Sequence, residues 1–538
     1  DFPPEMCRSC SVVIDIEGNP FVSTEWDGEI FLRAVEVNVS ALPLIARERL
    51  PSAVRGRFTA QLWSEWEHGQ PTLIRGDTRV AGLRVPIKRW DAPLVIREAS
   101  GDINWEVGRS GWRLDVAHPV LGLSGPVWQA GHLRISRQSG ESAVQIKHID
   151  LESVTRFIEV VRKEVEDDME AAAGIVPNEF FDYWTISRPE GSVDNLSLRL
   201  VGDWMAPTDF SLEADLAGIN LQAYRKFPGV HGMGAHVSMT RNAGHAKFDI
   251  FNAKISLPAV FRAPLPVRRM DGEIVWEKTA DAWQVNGNNL HVVSDDVRGT
   301  GKLTVRVPTD RMLPPHVKLR VDFHDGKGEH AARYFPVHRL EASTLAWMER
   351  SFVSGEVTKG YLIYDGAIPD FPFRHQTGKF ELRAHVRDAV YSYLPGWEPI
   401  KHAEVDVAVN GPEVLVTGNG KIAGLDANQV VVQVRESEGA GRVVQVTGKV
   451  AGPVNETLSV LRAAKSSVGT KWFTSLPSGL QGNGQGLLSL DLRIPLGLVA
   501  ETSVAGEYRF LKADLSLPDT GMSMQSIEGK VQFTESGL

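Results

Sequence analysis

Apolar and polar residues alternate with a period of two along most of this chain, which marks strands with one dry and one wet face. In KFELRAHVR, Phe380, Leu382, Ala384 and Val386 alternate with Glu381, Arg383, His385 and Arg387. Val405, Val407 and Val409 alternate with Glu404 and Asp406, and Val317, Leu319 and Val321 with Lys318, Arg320 and Asp322. Phe58, Ala60 and Leu62 do the same against Arg57, Thr59 and Gln61. Turn signals such as VNGP, TGNGK and RNAGH separate the runs, so successive strands are expected to pair antiparallel in a meander.

A helical period interrupts the strands in three places. From Leu151 to Ala173, Val154, Phe157, Ile158, Val161 and Val165 form an apolar stripe, opposite Glu159, Arg162, Lys163, Glu166, Asp167 and Asp168; this predicts one amphipathic helix. Shorter helices are expected over Glu341 to Ser351 and over Asn455 to Ala464. Each precedes a glycine that opens a further strand, Gly191, Gly355 or Gly486. The helices therefore read as plugs or corners between sheet segments.

An internal repeat organises these elements. GDINWEVGRSGWRLDV recurs as GEIVWEKTADAWQVNG, with every matched residue offset by 171 positions, as Gly101 is from Gly272. Ile103 and Trp105 thus correspond to Ile274 and Trp276. The preceding stretch, with Val85 and Pro86, matches one with Leu257 and Pro258; a third copy carries Leu517, Pro518, Gly529, Val531 and Phe533, and a degenerate copy runs from Trp397 to Val409. The repeats divide the chain into β units at 1–150, 191–330, 331–440 and 441–538, with a helix and connector at 151–190. Because Trp105, Trp276 and Phe533 are in phase with Ile103, Ile274 and Val531, these rings are assigned to packing on the dry face rather than to sugar stacking.

Composition narrows the function. Of 538 residues, 42% are hydrophobic, which excludes dominant disorder, and the net charge of -9 leaves no basic field of the kind that binds nucleic acid. No uncharged apolar run approaches the roughly 20 residues of a spanning helix. The opening DFPPEM has neither an initiator Met nor a signal pattern, so the chain is expected to be a soluble, excised or processed piece.

Candidate chemistry is sparse. Cys7 and Cys10 have C-x-x-C spacing, but the strand pattern SVVIDIEG follows where a redox thiolate needs a helix N-terminus. They read as a local disulfide or as two idle thiols. The histidines form no metal grouping; the nearest pair, His231 and His236, lies in HGMGAH, expected to be a turn into a strand. The glycine-rich GLQGNGQG runs into the strand pattern LLSLDLRI, whereas a phosphate loop runs into a helix. No nucleophile motif or distinguished carboxylate pair is present, so no catalytic role, cofactor or metal is expected.

The stretch from Arg333 to Gly411 resembles the AsmA-like family of large bacterial envelope proteins. Tyr334 and Pro336, Leu345 and Trp347 on a helix, Gly355 and Gly360, Asp370 to Phe373, Phe380, and Pro395 to Trp397 follow the family order, and weaker similarity extends over most of the chain, including GRFTAQLWSEW. The resemblance implies an inner-membrane-anchored protein of the Gram-negative periplasm whose long curved sheet conducts phospholipid towards the outer membrane. It also implies that the N-terminal anchor and further C-terminal sheet, through which either membrane or its proteins would be met, are missing from this piece.

The physics of the strands agrees. A face that is apolar along its length must be covered by something, and a curled sheet turns it into a dry channel for acyl chains. The expected fold is mainly β: an elongated, repetitive, curved antiparallel sheet forming an open groove, with a few amphipathic helices. Its lining is expected from Phe58, Ala60, Leu62, Ile103, Trp105, Ile274, Trp276, Val317, Leu319 and Val321, and from the dry positions of Phe380 to Val386 and Val405 to Val409. The competing expectations are an envelope scaffold assisting outer-membrane protein assembly and a glycan-binding β-protein.

Overall fold

Two-residue turns between alternating segments leave each strand little choice but to pair with its chain neighbour. The computed structural model describes residues 6–22, 24–41, 54–85, 94–122, 127–156, 158, 184–203, 206–224, 228–258, 260–310, 312–336, 342–393, 398–437, 441–467, 479–496 and 502–534. They fall into two units, Asp1–Pro258 and Ala259–Leu538.

In the first unit the strands run from Ser9–Gly18 to Ala243–Ser256, and successive long strands pair antiparallel, the short Val127–Gln129 pairing only with Gly111–Gly122, which pairs on with His132–Gln138. In the second they run from Leu265–Lys278 to Met522–Thr534 in the same way, with His316–His324 and the short Gly326–Lys327 both pairing with Phe352–Ala367. Among the described residues, Ser9–Gly18 and Met522–Thr534 each have a strand partner on one side only, so neither sheet closes on itself. The hairpins Leu94–Gly108/Gly111–Gly122 and Leu265–Lys278/Ala282–Val293 are the two copies of the repeat.

Helical excursions sit between strands that are nevertheless direct neighbours. Glu141–Asp150 pairs with Glu190–Asp203 across the connector that begins with helical residues 151–156; the rest of the helix expected to Ala173 lies outside the described residues, apart from Ile158. Ala342–Ser351 leads into the strand Phe352–Ala367, and Val454–Ser467 separates Gly441–Pro453 from its partner Gln481–Pro495.

Each sheet is bent along a seam of β-bulges. The register slips where Glu36, Asn195, Asn289, Asp388, Gln429 and Lys512 take left-handed backbone angles, with φ between 47° and 54°. An extra residue shifts the alternation by one and turns the strand. Side chains on the adjacent strand hold several bulges: Glu36 N–H donates to Thr59 Oγ1 at 3.1 Å, Gln429 N–H to Asn419 Oδ1 at 2.9 Å, and Ser526 N–H to Asp514 Oδ1 at 2.7 Å. The bulge residues Glu36, Asp388, Gln429 and Lys512 are exposed, whereas the alanines beside them are buried: Ala34 is 1% exposed and Ala513 0%. Ala60, Ala214, Ala403 and Ala427 are buried similarly. Small residues fill the inside of the bend because it leaves no room for longer ones.

HGMGAH is not a turn. It lies within the strand Gly229–Thr240, where Gly232 has φ 78° and its N–H is accepted by Asn220 Oδ1 at 2.9 Å. The glycine serves a bulge and the strand keeps its direction.

Candidate functional site

Residues directly opposite in an antiparallel pair share a face, so the register shows which side chains lie together. In the second unit, Ile274 and Trp276 face Gly287 and Val285, which face Leu303 and Val305. Those lie opposite Leu319 and Val317, with Val321 beside them, and then Tyr364, Gly366 and Leu362. Phe380 and Leu382 follow opposite Tyr364 and Leu362, and Ala384 lies opposite Gly360. Leu382, Ala384 and Val386 then face Val409, Val407 and Val405.

The columns continue through residues that the sequence analysis did not single out. Val414 and Val416 lead to Val434 and Val432, then to Val444 and Val446, Ile494 and Leu492, and Val504. The alternation in VVVQV, RVVQV and LLSLDLRI carries this signal. In the first unit, Phe58, Ala60 and Leu62 face Val80, Thr78 and Gly76, and Gly76 and Ile74 face Ile103 and Trp105. Val116 and Leu114, Leu133 and Ile135, and Ile146 and Val144 extend the same face. The register thus sets the expected lining residues of each unit side by side on one face.

That face is concave. At the Asp388 bulge, Val386 and Ala389 are three apart yet point the same way: a Cβ on Gly355 would lie 3.3 Å from Val386 Cγ1 and 3.2 Å from Ala389 Cβ. The apolar set therefore continues round the bend, with the buried alanines inside and the exposed bulge residues outside. Most of its Val and Leu side chains are only half-buried, since little protein packs over them.

Part of what rests on the dry face comes from the crossovers. Val454 and Leu458 of the helix Val454–Ser467 pack with Ala513 against Phe510, Leu515 and Leu480. Trp347 of Ala342–Ser351 meets Tyr391 edge-on at 6.1 Å and donates from Nε1 to the Tyr393 carbonyl at 3.2 Å. Burial raises the Tyr391 hydroxyl well above the ordinary range. Upstream, the turn Gly328–Tyr334 is pinned by Asp296, 2% exposed, which lies 2.7 Å from Arg333 Nη1 and 2.6 Å from His330 Nδ1.

The convex face is ionic. His148 pairs with Asp194, His236 with Asp215, His291 with Asp271 and His402 with Asp388, all across adjacent strands at 2.6 to 3.0 Å. Glu381 receives Lys379 Nζ at 2.8 Å, the Tyr361 hydroxyl at 2.7 Å and Arg383 Nε at 3.3 Å. The Lys379 contact, followed by the Tyr361 and Arg383 bonds, holds its carboxyl at about 2, well below the ordinary 4.5. A depressed carboxylate contributes stability above its unfolded value that is lost as pH falls through the folded one. The Glu381→Gln protein is expected to unfold at lower urea than the parent at pH 7, with the gap closing as pH falls from about 4.5 to about 2. Urea midpoints at both ends of that window check it.

Phe31 and Trp63 meet at a tilt, 5.0 Å apart, on the wet face of the first unit, unlike Trp105 and Trp276. The sulfurs of Cys7 and Cys10 are bonded to each other, and Cys7 packs with Ala34 and Val37. Among the described residues no group of three or more His, Cys, Asp or Glu is placed to hold a metal, and no helix is long and apolar enough to cross a membrane.

An open antiparallel sheet, ionic outside and lined inside by largely apolar columns, defines a groove protein. The chain belongs to the YhdP protein family, whose model matches residues 6–538. It is 20% identical over 445 residues to the intermembrane phospholipid transporter YhdP of Escherichia coli (strain K12), covering 80% of this chain and 33% of that protein. The chain therefore spans about a third of that relative's length. No solved structure matches the chain.

Proposed function

We propose that the concave dry face of each unit binds phospholipid acyl chains, and that the chain is a segment of a bridge-like conduit carrying phospholipid through the periplasm from the inner towards the outer membrane. The observation that carries this reading is the run of aliphatic columns, uncharged and largely uncovered, along a concave face. Each methylene kept from water there contributes about 0.8 kcal/mol, so a two-chain lipid is held strongly. Successive Val columns are nearly alike, so neighbouring positions are nearly isoenergetic and a chain can slide. The name of the Escherichia coli relative supports phospholipid as the cargo. Contacts with the inner and outer membranes are assigned to parts of a longer protein beyond these residues. The reading needs no cofactor and no catalytic group.

Protein purified from a Gram-negative host in a mild detergent, then extracted and weighed by mass spectrometry, is expected to carry phospholipid at one or more molecules per chain. Protein that elutes free of lipid and does not take it up from vesicles would overturn the proposal.

A further inference from the structure

We propose that the paired strands Phe352–Ala367 and Lys379–Tyr391 form a gauge in the groove, a station whose aromatic walls set how much acyl-chain cross-section passes. The inference rests on the dry face being the acyl path and names the place where that path is narrowed. Two hairpins further along this unit turn tightly: Ile400–Asn410 reaches Glu413–Ile422 across Gly411 and Pro412, and Glu413–Ile422 reaches Leu425–Ser437 across Ala423 and Gly424. Residues 368–378, between the two gauge strands, instead fold back onto the dry face. The Phe371 ring stands edge-on to Phe380 at 5.1 Å and lies over Tyr364 at 6.2 Å. Phe373, buried, meets Tyr364 at 5.2 Å and covers Gly366 and Gly378, where a side chain would collide with it.

This loop is a packed block, strapped along the rim. Phe371 and Phe373 touch each other at 6.2 Å as well as the strand rings. A Cβ on Gly411 would lie 3.0 Å from the Pro372 carbonyl oxygen, and Arg374 Nε donates to Glu436 Oε1 at 2.8 Å, on the strand Leu425–Ser437. The strap thus reaches past the tips of the intervening strands.

The opposite end of the same two strands carries the second wall. Phe352 packs on Tyr391 at 5.7 Å, Phe335 on Phe352 at 6.3 Å, and Trp347 closes over Tyr391. Between the walls the open floor is Leu362, Leu382, Ala384 and Gly360, and the Phe323 ring already lies over Gly360. The strand Glu413–Ile422, with Val416 in the same face, has tight turns at both ends and carries no aromatic residue of its own.

The test measures exchange of NBD-labelled phosphatidylethanolamine between the full chain and phosphatidylethanolamine/phosphatidylglycerol vesicles, with photo-crosslinking to lipid from benzoylphenylalanine at Leu382 or Val416. Leu382→Trp is expected to slow exchange about tenfold, since added bulk has nowhere to go between two fixed walls, and Val416→Trp, on the same path, only about threefold. Adding Phe371→Ala to Leu382→Trp should restore most of the rate. The single Phe371→Ala variant should speed two-chain lipid more than a single-chain lysolipid. Equal slowing by tryptophan at both positions, with crosslinks intact, would overturn the gauge and leave the groove standing. Absence of lipid crosslinks at both positions would overturn the groove and the gauge with it.

Discussion

A lysine in place of Leu382 is expected to stop phospholipid passage, and a lysine in place of His385 to leave it nearly unchanged. Leu382 faces Leu362 and Val409 in the dry columns, with no acid beside it, whereas His385 lies between Glu404 at 3.4 Å and Asp406 at 2.9 Å on the convex side. A charge held among acyl chains away from water costs several kcal/mol, roughly 2 to 7. The same charge outside stays hydrated and gains an acidic neighbour. Val407→Asp should behave as Leu382→Lys does, since Val407 lies between Ala384 and Val416. Vesicle-to-vesicle transfer by the purified chain measures both variants. Photo-crosslinkers walked from Phe380 to Val386 should label lipid at the even positions and not at the odd ones, and uniform labelling would show that the two faces are not distinguished.

The second large effect is expected at the inside of the bend, from residues that touch no cargo. Ala403→Leu should lower stability by about 1 to 3 kcal/mol, the usual cost of forcing methylenes into a filled site. Ala403 is buried between Ala389 across one strand junction and Gly420 across the other. A Cβ at Gly420 would already stand 2.9 Å from Ile400 Cγ2 and 3.3 Å from Ala403 Cβ, so Gly420→Val should act in the same direction. The exposed bulge residue Gln429, by contrast, should accept Gly or Asn with little loss because either tolerates its positive φ of 54°. Urea midpoints of the four variants check this, and an unchanged midpoint for Ala403→Leu would mean that the corner has spare room.

The dry and wet faces were legible because each strand carries its own alternation. Phe380 to Val386 and Val405 to Val409 needed only period two to be placed on a common face, and antiparallel pairing of chain neighbours did the rest. The repeat was legible for the same reason: the hairpins at Leu94–Gly122 and Leu265–Val293 keep Trp105 and Trp276 in equivalent columns. The seam was not legible. A bulge such as that at Gln429 is held by Asn419 on another strand, and nothing within either strand alone announces the pairing. HGMGAH failed similarly, since its glycines look like a reversal until Asn220 is seen to catch Gly232. The aromatic strap was visible only as the family-like DFPF order; that Phe371 and Phe373 fold back over Tyr364 and Phe380 depends on an eleven-residue hairpin loop whose path local pattern does not dictate.

The half-buried dry face also bears on the thermodynamics of the chain. Globular proteins owe their heat capacity of unfolding, about 12 to 15 cal/mol/K per residue, largely to apolar surface that is hidden when folded and wet when not. Here many valines and leucines are already partly wet in the folded state, so the increment per residue is smaller and the free energy of folding varies more gently with temperature. A sheet of this kind resists cold better than a two-layer protein of equal stability, and it pulls itself together less by burying its own side chains than by the backbone ladder that links each strand to the next.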